Sequence, residues 1–172
     1  MPALTQWVIP APRKKFVVGV ADMVASNDSG AEIVTYSLGS CLGVAIYDPQ
    51  KKIGGLLHLM LPSSAIDAAK AQHQPFMFVD TGVPRLFQAV YGLGGERSRL
   101  QVKIAGGAQF LDDENVFNIG RRNVTAVTEL FARNAMRIHA QDYGGNASRT
   151  VRLDLANGQF FIHSPGSAPY SL

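Results

Sequence analysis

Apolar and polar residues alternate along much of the chain in short runs, and this period of two predicts a domain rich in β-strands. Turn-forming residues separate the runs, for example Asp48-Pro49-Gln50 and Asn157-Gly158, of which the second is a strong hairpin signal. The last three runs predict a β meander. The predicted strands cover residues 16–24, 31–38, 42–47, 53–61, 100–105, 137–143, 150–155 and 159–163.

Two longer segments repeat their apolar residues with the period of an amphipathic helix. The first runs to Gly92 from Asp80 or Thr81, either of which can cap it, and the second spans residues 119–135. Their apolar stripes consist of Val83, Leu86, Phe87, Val90 and Tyr91 in the first, and Val124, Val127, Phe131 and Ala135 in the second. A short helix over residues 65–74, capped by Ser63-Ser64, has few large apolar residues and is expected at the surface.

The order of these elements predicts the fold class. Strands outnumber helices and lie at both ends of the chain, which favours an α/β (α+β) sandwich over a doubly wound parallel fold. The expected sheets are mixed, mostly antiparallel, and flanked by about three helices. A chain of 172 residues forms one domain most economically. We place that domain at residues 16–164, after a flexible arm of residues 1–15 and before a tail of residues 165–172.

Composition narrows the classes of function. The net charge is only +3 and the basic residues are scattered, so no nucleic-acid surface is expected. A single cysteine excludes an internal disulfide and suits a reducing cytoplasm. No apolar run resembles a signal peptide or a membrane span, which predicts a soluble cytoplasmic protein without membrane insertion. The chain has no metal-ligand spacing, phosphate loop or dinucleotide motif, so we expect no cofactor and no metal.

Candidate chemistry lies in residues 35–62, which contain the only cysteine, Cys41. Cys41 follows a Leu-Gly-Ser turn at the start of a predicted strand, where a rigid scaffold holds the thiol at the rim of a sheet. His58 interrupts the apolar run of the next strand, so its imidazole can lie beside the thiol, as nucleophilic catalysis requires. The backbone N–H groups of Gly39 and Ser40 are free to bind an oxyanion. The alternative is structural, since a free cysteine and a lone histidine often belong to the core.

The ordered motifs of the chain resemble the CheD family of bacterial chemotaxis proteins, the chemoreceptor glutamine deamidases. The resemblance covers residues 16–164 and rests on a set of motifs with matching spacing. The motifs are Thr35-x-x-Leu38-Gly39-Ser40-Cys41, Asp48, Gly54-Gly55-x-x-His58-x-Met60-Leu61-Pro62, Asp80-Thr81, Lys103-Ile104-Ala105-Gly106-Gly107-Ala108, Ile119-Gly120-x-Arg122-Asn123-Val124, Asp142-x-Gly144-Gly145, Arg149 and Gly158.

The resemblance implies a Cys–His–Thr set of catalytic residues, which carries over onto Cys41, His58 and Thr35. It implies that Cys41 attacks a glutamine side chain of a receptor's cytoplasmic helices, with His58 keeping the thiol ionised and Thr35 orienting the imidazole. A CheC-type phosphatase is a further implied partner. A thiol acyl-transferase, protease or transglutaminase would use the same dyad, and a non-catalytic adaptor for a receptor or CheC is the other alternative.

The Gly106-Gly107-Ala-Gln-Phe110 step has two interpretations. It can be a strand exit that needs positive φ, which we prefer. Alternatively, its bare backbone lets a substrate or partner approach closely, with Phe110 as an anchor.

Overall fold

The computed structural model describes residues 12–109 and 118–172, which form two β-sheets packed face to face with helices against one of them. The strands are β1 (Lys15–Val17), β2 (Asp22–Ser26), β3 (Glu32–Leu38), β4 (Leu42–Asp48), β5 (Ile53–Leu59), β6 (Gln101–Gly106), β7 (Ile138–Tyr143), β8 (Arg149–Asp154), β9 (Phe160–His163) and β10 (Tyr170–Ser171). The helices are α1 (Ala68–His73), α2 (Val79–Gly92) and α3 (Ile119–Arg133), with 3-10 turns at Ser64–Ile66, Pro75–Met77 and Arg97–Arg99.

Each sheet of the described chain has five strands. The first has the order β1-β3-β8-β9-β10, and the second has the order β2-β5-β4-β6-β7. Among the described strands, β1 with β3 and β6 with β7 pair in parallel, and the other neighbours are antiparallel. The predicted α+β sandwich with mixed, mostly antiparallel sheets and about three helices is therefore confirmed.

The second sheet is buried on both faces, which explains why β4 and β5 read as nearly continuous apolar runs. Side chains such as Leu42 and Leu57 pack against α2 and α3 on one face. On the other face, side chains such as Ala45 and Leu56 pack against the first sheet. Alternate residues of each strand therefore belong to two separate cores. None of the helices in the described ranges is long and apolar enough to cross a bilayer.

The predicted strand over residues 16–24 is wrong, because the chain turns in the middle of it. Lys15–Val17 forms β1 at the edge of the first sheet, and Asp22–Ser26 forms β2 at the edge of the second. Ala21 has a φ of 55° in the turn between them. The apolar residues on both sides conceal this turn in the sequence, since each strand supplies side chains to the interior.

The predicted C-terminal meander is also wrong in its first strand. The β7 strand pairs in parallel with β6 in the second sheet, whereas β8 and β9 form a hairpin in the first. Within the predicted tail, Tyr170–Ser171 forms β10 against β9. Lys103 Nζ donates to the carbonyl oxygen of Leu172 at 2.8 Å, which links this end of the first sheet to β6.

The helix starts differ from the predicted ones. Phe78 is the N-cap of α2 and makes no side-chain cap, whereas Asp80 and Thr81 lie inside the first turn. Asp80 instead accepts the backbone N–H of Ser64 at 2.8 Å. The predicted helix over residues 65–74 is divided into a 3-10 turn capped by Ser63 and the helix α1, capped by Asp67.

Asp48 fixes the turn between β4 and β5. It is fully buried, it is ion-paired with Arg99 at 2.7 Å, and it accepts the backbone N–H groups of Gln50, Lys51 and Glu96. The hydrogen bonds from Arg99 and these backbone groups outweigh burial and lower the pKa of Asp48 to about 2. The carboxylate is therefore ionised in the folded protein at every physiological pH.

We expect Asp48→Asn to lower the free energy of unfolding by about 3 kcal/mol, because it removes one partner of a buried ion pair. Urea unfolding at neutral pH measures the change. Glu129→Gln, at an exposed position on α3, is the matched control and should change stability by less than about 0.5 kcal/mol. Equal stability of Asp48→Asn and the wild type would contradict this role of the carboxylate.

Candidate active site

Cys41 lies immediately before β4, at the end of the turn formed by Gly39 and Ser40. Two backbone hydrogen bonds fasten this turn to the exit of β6. Gly107 N donates to Cys41 O at 2.8 Å, and Ala108 N donates to Gly39 O at 2.8 Å. The thiol is half-buried against the core between the two sheets. The nucleophile candidate therefore has a fixed backbone and a partly open side chain.

His58 lies on β5, the strand next to Cys41, as the sequence predicts. It is paired with Gly43 of β4. Cys41 precedes Gly43 by two residues, so Cys41 and His58 occupy diagonal positions on one face of the sheet, which are typically about 7–8 Å apart. Gly43 has no side chain to stand between them. A Cβ atom there would lie 3.0 Å from Leu38 Cδ1, so the position is tightly packed as well.

Thr35 reaches the imidazole from the opposite sheet. Thr35 Oγ1 lies 2.7 Å from His58 Nδ1 and donates its own proton to Val18 O at 2.8 Å. Because the hydroxyl has only one proton, its oxygen accepts from His58, and Nδ1 must carry a hydrogen. This assignment leaves Nε2 as the basic nitrogen of the neutral imidazole. Nε2 is buried and has no hydrogen-bond partner in the described part of the chain.

Burial sets the protonation state of both groups. It lowers the pKa of His58 to about 4. It also raises the pKa of the Cys41 thiol, an effect that the residue's own backbone N–H partly opposes. The free protein therefore holds a thiol and a neutral imidazole, which differs from the ionised thiol expected from the sequence. Such a pair transfers its proton during nucleophilic attack.

A register irregularity of the β-bulge kind lies in β3 between Thr35 and the turn that leads to Cys41. The pairing of β3 with β8 shifts between Thr35 and Leu38, and Ser37 takes a φ of 56° there. The bulge keeps both Thr35 and Leu38 buried although they are three residues apart. A non-glycine residue in this conformation stores strain, which commonly accompanies functional sites.

Comparison of the sequence with known proteins identifies the family of the chain. The family model for CheD chemotactic sensory transduction matches residues 60–164. A probable chemoreceptor glutamine deamidase CheD 1 of Syntrophus aciditrophicus is 49% identical over 150 residues, covering 87% of this chain and 94% of the relative. The chain belongs to the CheD family. Further relatives with the name probable chemoreceptor glutamine deamidase CheD come from Solibacter usitatus, at 42% identity over 89% of this chain and 90% of the relative, and from Pyrococcus horikoshii, at 39% identity over 85% and 90%.

In this CheD family member, Gly106 and Gly107 have the backbone geometry expected where a strand ends. Gly106 has a φ of +115° and Gly107 a φ of +61°, as the preferred interpretation of the sequence requires. A Cβ atom on Gly106 would lie 2.4 Å from Cys41 O, and one on Gly107 would lie 2.7 Å from Val124 Cγ2. Both glycines thus permit the close approach of β6 and α3 to the Cys41 turn. The candidate anchor Phe110 lies outside the described residues.

Asn123, to which the sequence patterns assign no role, contacts the segments that flank Cys41 and His58. Its Nδ2 donates to Ser40 O at 3.0 Å and to Met60 O at 2.8 Å. The helical period contains a signal for this residue. Asn123 stands four residues before Val127 and eight before Phe131, so it is a polar residue on the buried stripe of α3.

We expect Thr35→Val to lower kcat for deamidation at least about tenfold, equivalent to about 1.4 kcal/mol. Valine keeps the shape of threonine but cannot accept the hydrogen of His58 Nδ1, so the imidazole loses its fixed tautomer. Thr35→Ser retains the hydroxyl and should restore most of the rate. Steady-state kinetics on a receptor fragment measures both variants, and wild-type turnover of Thr35→Val would exclude an orienting role.

The pH dependence follows from the pKa of His58. With this pKa held near 4, kcat/KM should stay flat as the pH falls from 7 to about 5 and decline only near 4. Stability should depend on pH over a different range. Below pH 6.5, His58 takes up a proton in the unfolded chain but stays neutral in the folded chain until the pH nears 4. We expect the free energy of unfolding to fall by about 3 kcal/mol between pH 6.5 and 4 from this residue alone. An acid limb of kcat/KM near pH 6.5 would contradict the neutral buried imidazole.

Proposed function

We propose that this protein hydrolyses selected glutamine side chains of chemoreceptors to glutamate, with Cys41 as nucleophile, His58 as general base and acid, and Thr35 as the orienting residue. The names of the CheD relatives support the reaction and the substrate class. The observation that carries the residue assignment is the 2.7 Å contact between Thr35 Oγ1 and His58 Nδ1, which leaves Nε2 free on the face shared with Cys41.

In the first half-reaction, Cys41 Sγ attacks the side-chain carbonyl carbon of glutamine while His58 Nε2 takes the thiol proton. The new S–C bond gives a tetrahedral intermediate with a negative oxygen. Backbone N–H groups of the Gly39-Ser40-Cys41 turn stabilise that oxygen. When the C–N bond breaks, the imidazolium returns its proton to the leaving nitrogen, ammonia departs, and a thioester remains on Cys41.

The second half-reaction uses the same residues. His58 Nε2 removes a proton from water, and the water oxygen attacks the thioester carbonyl. Cleavage of the S–C bond with return of the proton to sulfur releases glutamate and restores the thiol. Thr35 supports the transient imidazolium with a neutral hydroxyl, which stabilises the charge less than a carboxylate would. Turnover is therefore expected to be modest.

We further propose that the substrate is a segment of a receptor's cytoplasmic helices and that the protein works in the cytoplasm. A glutamine side chain offers few atoms, so the binding energy that positions it must come from the surrounding chain. The segment that contains Gly106, Gly107 and Phe110 is the proposed place for these contacts. The single cysteine, half-buried and free, fits a reducing compartment.

A CheC-type phosphatase is the proposed protein partner, on the ground of the family resemblance. Such a partner should co-elute with this protein from a size-exclusion column and slow the deamidation of receptor fragments if both use the same surface. Separate elution at micromolar concentrations of both proteins would argue against the partnership.

Ammonia release on two substrates at equal glutamine concentration tests the proposed substrate class. We expect clear release from a receptor cytoplasmic fragment and negligible release from free glutamine. Comparable rates on the free amino acid would favour a small-molecule amidase. A parallel reaction with added methylamine separates hydrolysis from transglutamination, since a transglutaminase would leave methylamide in place of glutamate.

A further inference from the structure

Asn123 is a buried amide whose orientation is fixed by its two partners. It is fully buried on α3, and its Nδ2 donates to the carbonyl oxygens of Ser40 and Met60 at 3.0 and 2.8 Å. Only the amino end of the amide can serve two carbonyl oxygens, so the assignment of its nitrogen and oxygen follows from the chemistry. One side chain therefore contacts the segment before Cys41 and the segment after His58.

The contact with Ser40 has a consequence for the next amide group. The described chain has no cis peptide bonds, so the C=O of Ser40 and the N–H of Cys41 point in opposite directions across one planar unit. With the carbonyl oxygen held by Asn123, the Cys41 N–H must point away from α3. It belongs to the same residue as the thiol, and it partly opposes the effect of burial on the pKa of that thiol.

This N–H is also available to a ligand. Within residues 12–109 and 118–172, it donates to no backbone carbonyl oxygen, whereas the carbonyl of the same residue accepts from Gly107 N at 2.8 Å. The negative oxygen of a tetrahedral intermediate forms close to the attacking sulfur, where a backbone donor at this position can bind it.

We propose that Asn123 is a positioning residue that holds the Ser40–Cys41 peptide so that the Cys41 N–H serves as an oxyanion donor. This inference rests on the proposed role of Cys41 as nucleophile. Asn123 acts through the peptide group and does not touch the substrate. Its second bond, to Met60 O, fixes the same amide relative to the end of the strand that carries His58.

Two reactions of the same sulfur separate this role from general support of the fold. Deamidation develops a negative oxygen, whereas alkylation of Cys41 by iodoacetamide is a substitution that develops none at the carbonyl. We expect Asn123→Ala to lower kcat for deamidation of a receptor fragment about 10- to 100-fold, because a misdirected donor loses much of its effect. The alkylation rate should fall much less than kcat, because alkylation loses only the effect of this N–H on the pKa of the thiol, and KM should change little.

Asn123→Ser provides a second variant with one remaining donor, and its kcat should lie between those of Asn123→Ala and the wild type. Val127→Ala is the matched control. Val127 is fully buried one turn further along the same face of α3, so its truncation costs stability without touching the Ser40 carbonyl. Thermal unfolding of all three variants places them on one stability scale, and Val127→Ala should keep wild-type kcat.

Wild-type kcat in both Asn123 variants would overturn the proposal, as would an equal loss of deamidation and alkylation. A similar loss of kcat in Val127→Ala would also overturn it, because the effect would then track stability. Cys41→Ala distinguishes this failure from a failure of the proposed function. If Cys41→Ala still deamidates receptors, both proposals fall together, whereas an inactive Cys41→Ala beside fully active Asn123 variants removes only the role of Asn123.

Discussion

Replacement of Cys41 by serine is expected to lower deamidation of a receptor fragment at least about 10⁴-fold, the largest effect of any single substitution considered. A serine hydroxyl is far less acidic than a thiol, and a neutral imidazole whose pKa is near 4 is too weak a base to ionise it. The change is nearly isosteric, and Cys41 is only half-buried, so the fold should survive.

Steady-state kinetics and thermal unfolding of Cys41→Ser together check this expectation. A wild-type melting temperature with lost turnover is the expected pair of results. Retention of wild-type turnover would remove Cys41 from the mechanism and leave it as a small apolar residue of the core between the sheets.

Replacement of His58 by alanine is expected to lower kcat about 10²- to 10⁴-fold, the usual range for loss of a general acid and base. Without the imidazole, the thiol loses the acceptor for its proton during attack, and the leaving nitrogen loses its proton donor. The alkylation rate of Cys41 near neutral pH should fall as well. This dependence sets His58 apart from Asn123, whose loss should slow alkylation much less than deamidation.

His58→Gln is the shape-keeping companion of the alanine variant. His58 is 1% exposed, so alanine leaves a cavity and removes the hydrogen bond that Thr35 Oγ1 accepts, whereas glutamine fills more of the space without acting as a base. Both variants should lose turnover to a similar degree despite different stabilities. Equal alkylation and deamidation rates in the wild type and both variants would assign His58 to the core.

The sequence predicts most of the strands. It also predicts that β4, which follows Cys41, and β5, which carries His58, are neighbours. The turn before Cys41 and the apolar run around His58 are local signals, and the neighbouring position of β4 and β5 follows from the short connection between them. No local pattern predicts the contact of Thr35 with His58, because it crosses from one sheet to the other. The family resemblance is what predicts Thr35 beside the imidazole.

The remaining errors in strand assignment arise where the local pattern of apolar residues fits two different arrangements of the chain. The β7 strand alternates as an edge strand of either sheet would, and its parallel partner β6 is more than thirty residues away along the chain. The turn ending at Ala21 has apolar neighbours on both sides, so it reads as a continuous strand. Asn123 needed only its position on the helical stripe to be recognised as buried, but its two carbonyl partners come from distant segments.

Mass spectrometry of a chemoreceptor cytoplasmic fragment tests the central claim most directly. After incubation with the wild-type protein, we predict a gain of about one dalton at selected glutamines, the mass change when an amide becomes an acid, and no gain with Cys41→Ser. Peptide mapping locates the changed residues and controls for spontaneous deamidation in fragment alone. No gain with the wild-type protein, or the same gain with Cys41→Ser, would contradict the account of a cysteine-dependent receptor deamidase.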